Sequence, residues 1–173
     1  LIWVALPAVV PGTDKNTINV YAGNAKAVAE PPARLFASGV TLLAHFGEAD
    51  GPALDEARGL KTEQPVIREN NGLLGASARL AGETVVFSAG ESLAAAAGAP
   101  VTVTFWIKPD NVAGGTLLQW GALRLALAEG KLVGQLGTTR VEGGSLPPAT
   151  WAQVGLVVGS GKAALFVNGA KAA

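Results

Sequence analysis

From residue 101 onward the chain alternates short apolar runs with glycine-rich breaks. The runs cover residues 101–108, 116–119, 122–128, 131–135, 138–141, 151–158 and 163–167. The breaks fall at Gly114-Gly115, Glu129-Gly130, Gly143-Gly144, Gly159-Ser160-Gly161 and Asn168-Gly169. Many short strands at near-regular spacing predict an all-β sandwich, and the short connections predict antiparallel order. Apolar residues recur with period two in Leu123, Leu125 and Leu127, in Leu156 and Val158, and in Leu165 and Val167. One face of each of these strands is therefore expected to be buried. The run from Thr104 to Ile107 is apolar on both sides, which predicts a central strand with Trp106 in the core, and Trp151 is placed in the core by the same reasoning.

The upstream half is less regular. Residues 1–6 and 17–21 read as two strands of a hairpin around the turn-rich segment 7–16. Residues 25–33 contain Pro31-Pro32 and read as a linker. A two-stranded hairpin is not stable alone in water, so it needs pairing partners elsewhere. Those partners lie either in upstream chain or in the body of the domain, and the expected organisation is a hairpin plus linker over residues 1–30, then one sandwich over 31–173. Within the latter, 40–46 reads as a strand, 47–58 as a polar loop and 60–75 as mixed loop. Residues 77–80 and 84–87 read as short strands around Ala81-Gly82, and 91–97 as two helical turns at most. Asn168-Gly169 is a strong type I′ hairpin signal, because both central residues need positive φ. A return strand should follow, and with four residues left the sandwich is expected to lack its last strand or strands.

Composition narrows the function classes. The 173 residues carry 13 Lys plus Arg and 13 Asp plus Glu, so the net charge is zero. That balance speaks against nucleic acid or an anionic membrane as the main partner, since both require a basic field. Hydrophobic residues make up 49% of the chain, enough for a substantial core and too many for wholesale disorder. The chain has no cysteine and one histidine, which excludes thiolate sites and multi-histidine zinc sites. It has no methionine either, even at position 1, so it is expected to be a piece of a longer polypeptide or a processed product. The uncharged run 92–107 is too short to cross a bilayer and carries Gly98 and Pro100, so no membrane span is expected.

Few motifs carry chemistry. The GxGxxA-like string from Gly159 to Ala164 lies between two strands with no helix to receive a pyrophosphate, so it reads as a hairpin turn. Glu48-Ala49-Asp50 resembles the start of a glycosidase carboxylate cluster. The slots that should supply a third acid hold Pro52 and Ala53, and Gly51-Pro52 is expected to break the strand. No catalytic residue is assigned and the chain is read as a non-enzyme. Glu48, Asp50 and Asp55, with Glu56 beside them, could supply oxygen ligands for calcium. The plainer reading is a solvated acidic loop, since no fixed-spacing calcium loop is matched. His45 reads as structural. Among the four tryptophans, Trp120 stands at a strand end before Gly121 and is the candidate for a ligand-stacking role, against the plainer reading of rim packing.

Several blocks together resemble a known family. Thr102-Val103-Thr104-Phe105-Trp106-Ile107-Lys108-Pro109-Asp110 resembles the strand "T-x-S-x-W-v-k-P" of laminin-G-like, concanavalin-A-like jelly rolls. Thr116-Leu117-Leu118, the Leu123 to Leu127 run with Gly130-Lys131-Leu132, Thr150-Trp151-Ala152-Gln153-Val154 and Ala164-Leu165-Phe166-Val167-Asn168-Gly169 follow in the family's order. Leu42 to Glu48, with Gly51 and Asp55, is similar to its opening block. At the N-terminus, Trp3-Val4, Pro7, Asn16-Thr17-Ile18 and Tyr21-Ala22-Gly23-Asn24 resemble the end of a bacterial domain of unknown function. That domain is associated with MotA/TolQ/ExbB-type proton-channel proteins. The resemblance implies an antiparallel two-sheet jelly roll and a non-catalytic, extracytoplasmic module of a bacterial envelope protein. It implies a glycan or an envelope protein as ligand, alongside the remainder of the same polypeptide. The alternatives are a structural domain of a proton-channel-linked complex and, behind it, a sandwich-fold glycosidase.

Overall fold

The structure is a computed structural model that describes residues 9–12, 17–28, 39–88 and 99–173. Among these residues every regular element is a strand, and all pairing is antiparallel. No described helix is long and apolar enough to cross a membrane. The chain divides into two compact units, Leu1–Ser88 and Ala89–Ala173. The boundary expected near residue 30 falls in residues 29–38, outside the described residues, as do strand 1–6 and the helical patch at 91–97.

The described part of the first unit is built from four short strands: β1 (Pro52–Leu54), β2 (Lys61–Pro65), β3 (Arg68–Gly72) and β4 (Gly75–Ala78). They pair as two hairpins, β1 with β2 and β3 with β4. Single bridges join Ala44 to Asp55 and Thr62 to Phe87. Several sequence expectations change here. Residues 40–46 contribute one bridge instead of a strand, and the extended run ends where Phe46 takes a left-handed φ of 57°. Pro52 begins a strand instead of breaking one. It stands opposite Pro65 at the end of the ladder, where neither needs an N–H donor. Residues 75–78 pair backward onto β3 around Leu73-Leu74, not forward around Ala81-Gly82. Residues 17–21 form no strand, and Ile18, Val20 and Tyr21 are exposed, with Tyr21 at 90%. The bend after them is an Asx-type turn, with the Asn24 side chain accepting from Lys26 N–H at 3.0 Å.

The second unit is a two-sheet sandwich. Its strands are β5 (Val101–Ile107), β6 (Gly114–Trp120), β7 (Leu123–Ala128), β8 (Lys131–Leu136), β9 (Thr139–Ser145), β10 (Ala152–Gly159), β11 (Lys162–Val167) and β12 (Ala170–Lys171). One sheet has the order β12-β11-β10-β5 and the other β6-β7-β8-β9. All seven strands expected in this region form, with ends shifted by at most four residues. Two-residue turns make the meander. Ser160-Gly161 and Asn168-Gly169 both have two positive φ values, as type I′ requires. The GxGxxA-like string is therefore the β10–β11 hairpin. The expected return strand after Asn168-Gly169 is β12, and Ala172 N–H continues its bonding to Leu165 C=O at 2.8 Å. A longer uncharged run, 143–161, provides the end of β9, a turn with two prolines and the whole of β10.

The core lies between the two sheets. Leu123, Leu125, Leu127, Leu132, Leu136, Leu156 and Leu165 are buried there, with Val154, Val158 and Leu146. Gly134 marks the closest approach. A Cβ on it would lie 2.7 Å from Leu156 Cδ1 of the opposite sheet, so only glycine leaves room for that leucine. Strand β5 ends its sheet among the described residues instead of running through the centre. Its residues Val101, Val103, Phe105 and Ile107 pack on the core, so strand parity turns Trp106 outward, 48% exposed. The expected core position of Trp106 is thereby corrected.

Candidate functional site

Two regions gather polar side chains. In the first unit the acidic loop is knitted into its own framework. Glu48 Oε1 accepts from Leu54 N–H at 2.6 Å, and Glu48 Oε2 accepts from Arg68 Nη2 at 2.8 Å. The Arg68 side chain is only 7% exposed, and it also donates through Nη1 to Val66 C=O at 2.9 Å. Its guanidinium carbon stands 5.9 Å from the centroid of the Phe46 ring. Burial pushes the Glu48 carboxyl upward. Donation from its own amide, from Leu54 and from Arg68 outweighs that and holds it below its ordinary value of 4.5.

Asp55 is fully buried. Its Oδ1 accepts from Leu43 N–H at 2.8 Å and from Ala57 N–H at 3.0 Å. Its Oδ2 is buried with no hydrogen-bond partner among the described residues. Asp50 is exposed in the bend before β1. His45 Nδ1 lies 2.6 Å from Glu56 Oε1. The structure thus gives Glu48 and Asp55 framework tasks, and His45 a carboxylate neighbour that its position in the sequence did not reveal. No group of three or more His, Asp or Glu among the described residues is placed to hold a metal ion.

In the second unit, alternation sends one face of the β6–β9 sheet into the core and the other outward. The outward face carries one polar row. Gln119 is opposite Arg124, Arg124 opposite Gln135, and Gln135 opposite Arg140, so four long donors line up across four strands. The next row holds Thr116, Ala126, Val133 and Glu142. Arg124 Nη2 donates to Thr116 Oγ1 at 3.0 Å, and Arg140 Nη2 to Glu142 Oε2 at 2.5 Å. The small Ala126 and the half-buried Val133 leave a depression of about 210 Å³, with Arg124, Gln135 and Arg140 around it.

Sequence reasoning missed this row. Arg124, Gln135 and Arg140 belong to three separate strands, and each looks like an ordinary outward residue until the register is known. The period-two pattern of Leu123, Leu125 and Leu127 was the available signal, because it turns Arg124 outward. Trp120 lies opposite Leu123, half-buried and packed on the core. Trp106 is the exposed tryptophan among the described residues, while Trp151 is half-buried with the Lys108 ammonium 5.8 Å from its ring. Trp3 lies outside the described residues. No protein-family model, no curated protein and no solved structure matches the chain.

Proposed function

We propose that the chain is a non-catalytic binding module of the concanavalin-A-like jelly-roll type, displayed outside the cytoplasm. Its ligand surface is the outward face of the β6–β9 sheet. The observation that carries this reading is the Gln119–Arg124–Gln135–Arg140 row beside the depression over Ala126 and Val133. A shallow, open face suits an extended polar chain better than a small apolar molecule. Guanidinium forks pair with carboxylates in bidentate fashion, and glutamine amides both donate and accept. An acidic glycan offers the matching groups: a carboxylate on each acidic sugar and hydroxyls between them. Glu48 and Asp55 are engaged within their own loop, so the acidic segment fits a framework role better than general acid–base work.

The test is a binding screen that sets uronate-containing oligosaccharides against neutral ones of the same length, with and without calcium. Acidic oligosaccharides should bind, and Arg124→Ala or Arg140→Ala should weaken binding at least about tenfold, the loss of one charge-assisted contact. Equal binding of neutral and acidic chains, or full binding by both variants, would sink the reading. A calcium-dependent gain that disappears in Asp50→Asn would assign the acidic loop a part in ligand recognition.

A second reading, a structural or assembly domain of a MotA/TolQ/ExbB-type complex, draws its support from the β5 edge. Free strand edges recruit further strands.

A further inference from the structure

The four long polar side chains across the β6–β9 sheet do not offer a ligand the same chemistry. Gln119 Nε2 donates to Gly121 C=O at 2.7 Å, and Gln135 Nε2 donates to Gly137 C=O at 3.0 Å. Each glutamine thus turns its amide donor to the turn that follows its strand and leaves its Oε1, an acceptor, for a ligand. Arg124 donates to the neutral Thr116 hydroxyl and forms no ion pair among the described residues, so its charge is uncompensated. Arg140 instead meets Glu142 Oε2 at 2.5 Å, and both side chains are accessible, at 53% and 38%. Glu142 Oε1 has no hydrogen-bond partner among the described residues. Across the strands the row therefore reads acceptor, cation, acceptor, and then a donor–acceptor pair of no net charge.

We propose that this row holds a single anionic group, at Arg124, and that Glu142 is the residue that sets the limit. The limit applies to the face taken above as the ligand surface and rests on that reading. A carboxylate brought to Arg140 would have to displace Glu142 or lie beside it, and like charges so close repel. A hydroxyl meets no such obstacle, since it can accept from the guanidinium and donate to Glu142 Oε1. Gln119 and Gln135, presenting acceptors, likewise suit hydroxyl donors and disfavour an anion. Neighbouring strands lie about 4.8 Å apart, so Arg140 on β9 stands about 9.6 Å from Arg124 on β7. The depression over Ala126 and Val133 lies between them. The ligand class is thus a hydroxylated chain carrying isolated acidic groups, and a chain acidic at every unit is disfavoured. An exposed pair such as Arg140–Glu142 adds little to stability, so it can be altered with the fold intact.

The test is calorimetric titration at low salt with three galacturonate tetramers: all carboxylates free, all but one methyl-esterified, and all esterified. The wild-type chain should bind the singly charged tetramer at least as tightly as the fully charged one, and the fully esterified one more weakly than either. Glu142→Gln should raise affinity for the fully charged tetramer about three- to fivefold, the effect of removing one like charge near the surface, and leave the singly charged one unimproved. Arg140→Gln combined with Glu142→Gln should abolish that gain, because the released guanidinium is what the second carboxylate meets. A several-fold wild-type preference for the fully charged tetramer would overturn the proposal. So would a gain in Glu142→Gln that is equal for both acidic tetramers, or one that persists without Arg140, since either reports only the change in overall charge. Acidic binding with no response to Glu142→Gln overturns the proposal alone. If neither protein distinguishes acidic from fully esterified tetramers, the ligand reading of the face fails and the proposal with it.

Discussion

Residues 99–173 bury leucine after leucine between two sheets, whereas the described part of the first unit buries Ala53, Val66, Thr62 and Asp55. In the first unit, hydrogen bonds from polar side chains do much of what apolar contact does in the second. Thr62 Oγ1 accepts from Ala53 N–H at 2.8 Å and donates to Gln64 C=O at 2.8 Å. Glu48, Arg68 and Asp55 bind the surrounding backbone in the same way. The difference teaches that one strand content can be stabilised by two kinds of force, with different sensitivities. Apolar burial is non-directional and indifferent to pH, while a polar framework depends on each partner and on its charge.

Breaking the core of the second unit should give the largest effect. Leu156→Ala empties a fully buried site and should cost about 2–5 kcal/mol in denaturant unfolding followed on β10 amides. Adding Gly134→Ala to it sharpens the point, since the new methyl enters the space Leu156 leaves. The double variant should be less destabilised than the sum of the two single ones. A strictly additive result would mean that the two sheets are not in contact there.

In the first unit the corresponding break is Arg68→Ala. It removes a charged partner from Glu48 and a donor from Val66 C=O, and should cost about 1–3 kcal/mol, because hydrogen bonds to charged groups exceed neutral ones. The measurement is hydrogen exchange at Thr62 and Glu63. Unchanged protection there would show that the polar framework contributes nothing. Acid should give the smallest effect and confine it to the same unit. The Glu48 carboxyl is held below 4.5, so its contribution is complete above that value and is lost as pH falls through the lowered folded value. The protection factor at Thr62, taken against the unfolded-chain exchange rate at the same pH, should therefore fall below pH 4.5 while protection in β7 and β10 stays constant. In Glu48→Gln the acid step should shrink.

The legibility of the sequence follows the same divide. Strands β5 to β11 were readable because short runs, with period-two apolar alternation in β7, β10 and β11, recur between glycine-containing breaks, both local properties. Strands β1 to β3 were not, and β4 was readable only in part, through Ser77 and Ala78. Pro52-Ala53-Leu54 and Arg68-Glu69-Asn70-Asn71-Gly72 have no such pattern, and they form through side chains such as Thr62 and Arg68 that reach residues far along the chain. The acidic residues were visible as a cluster, but their engagement with Arg68, Leu43 and Leu54 was not.

Sequence alone thus determined the all-β class, the antiparallel meander, the type I′ turn at Asn168-Gly169 and the leucine faces. Each rests on neighbours within a few residues, where backbone geometry dictates the outcome. Only tertiary structure decided that Trp106 faces outward and Trp120 packs on the core, and that Arg124, Gln135 and Arg140 share one row. It also decided that β5 ends its sheet. These are properties of register and strand order, which depend on which distant segments pair, and a one-residue slip would reverse every face.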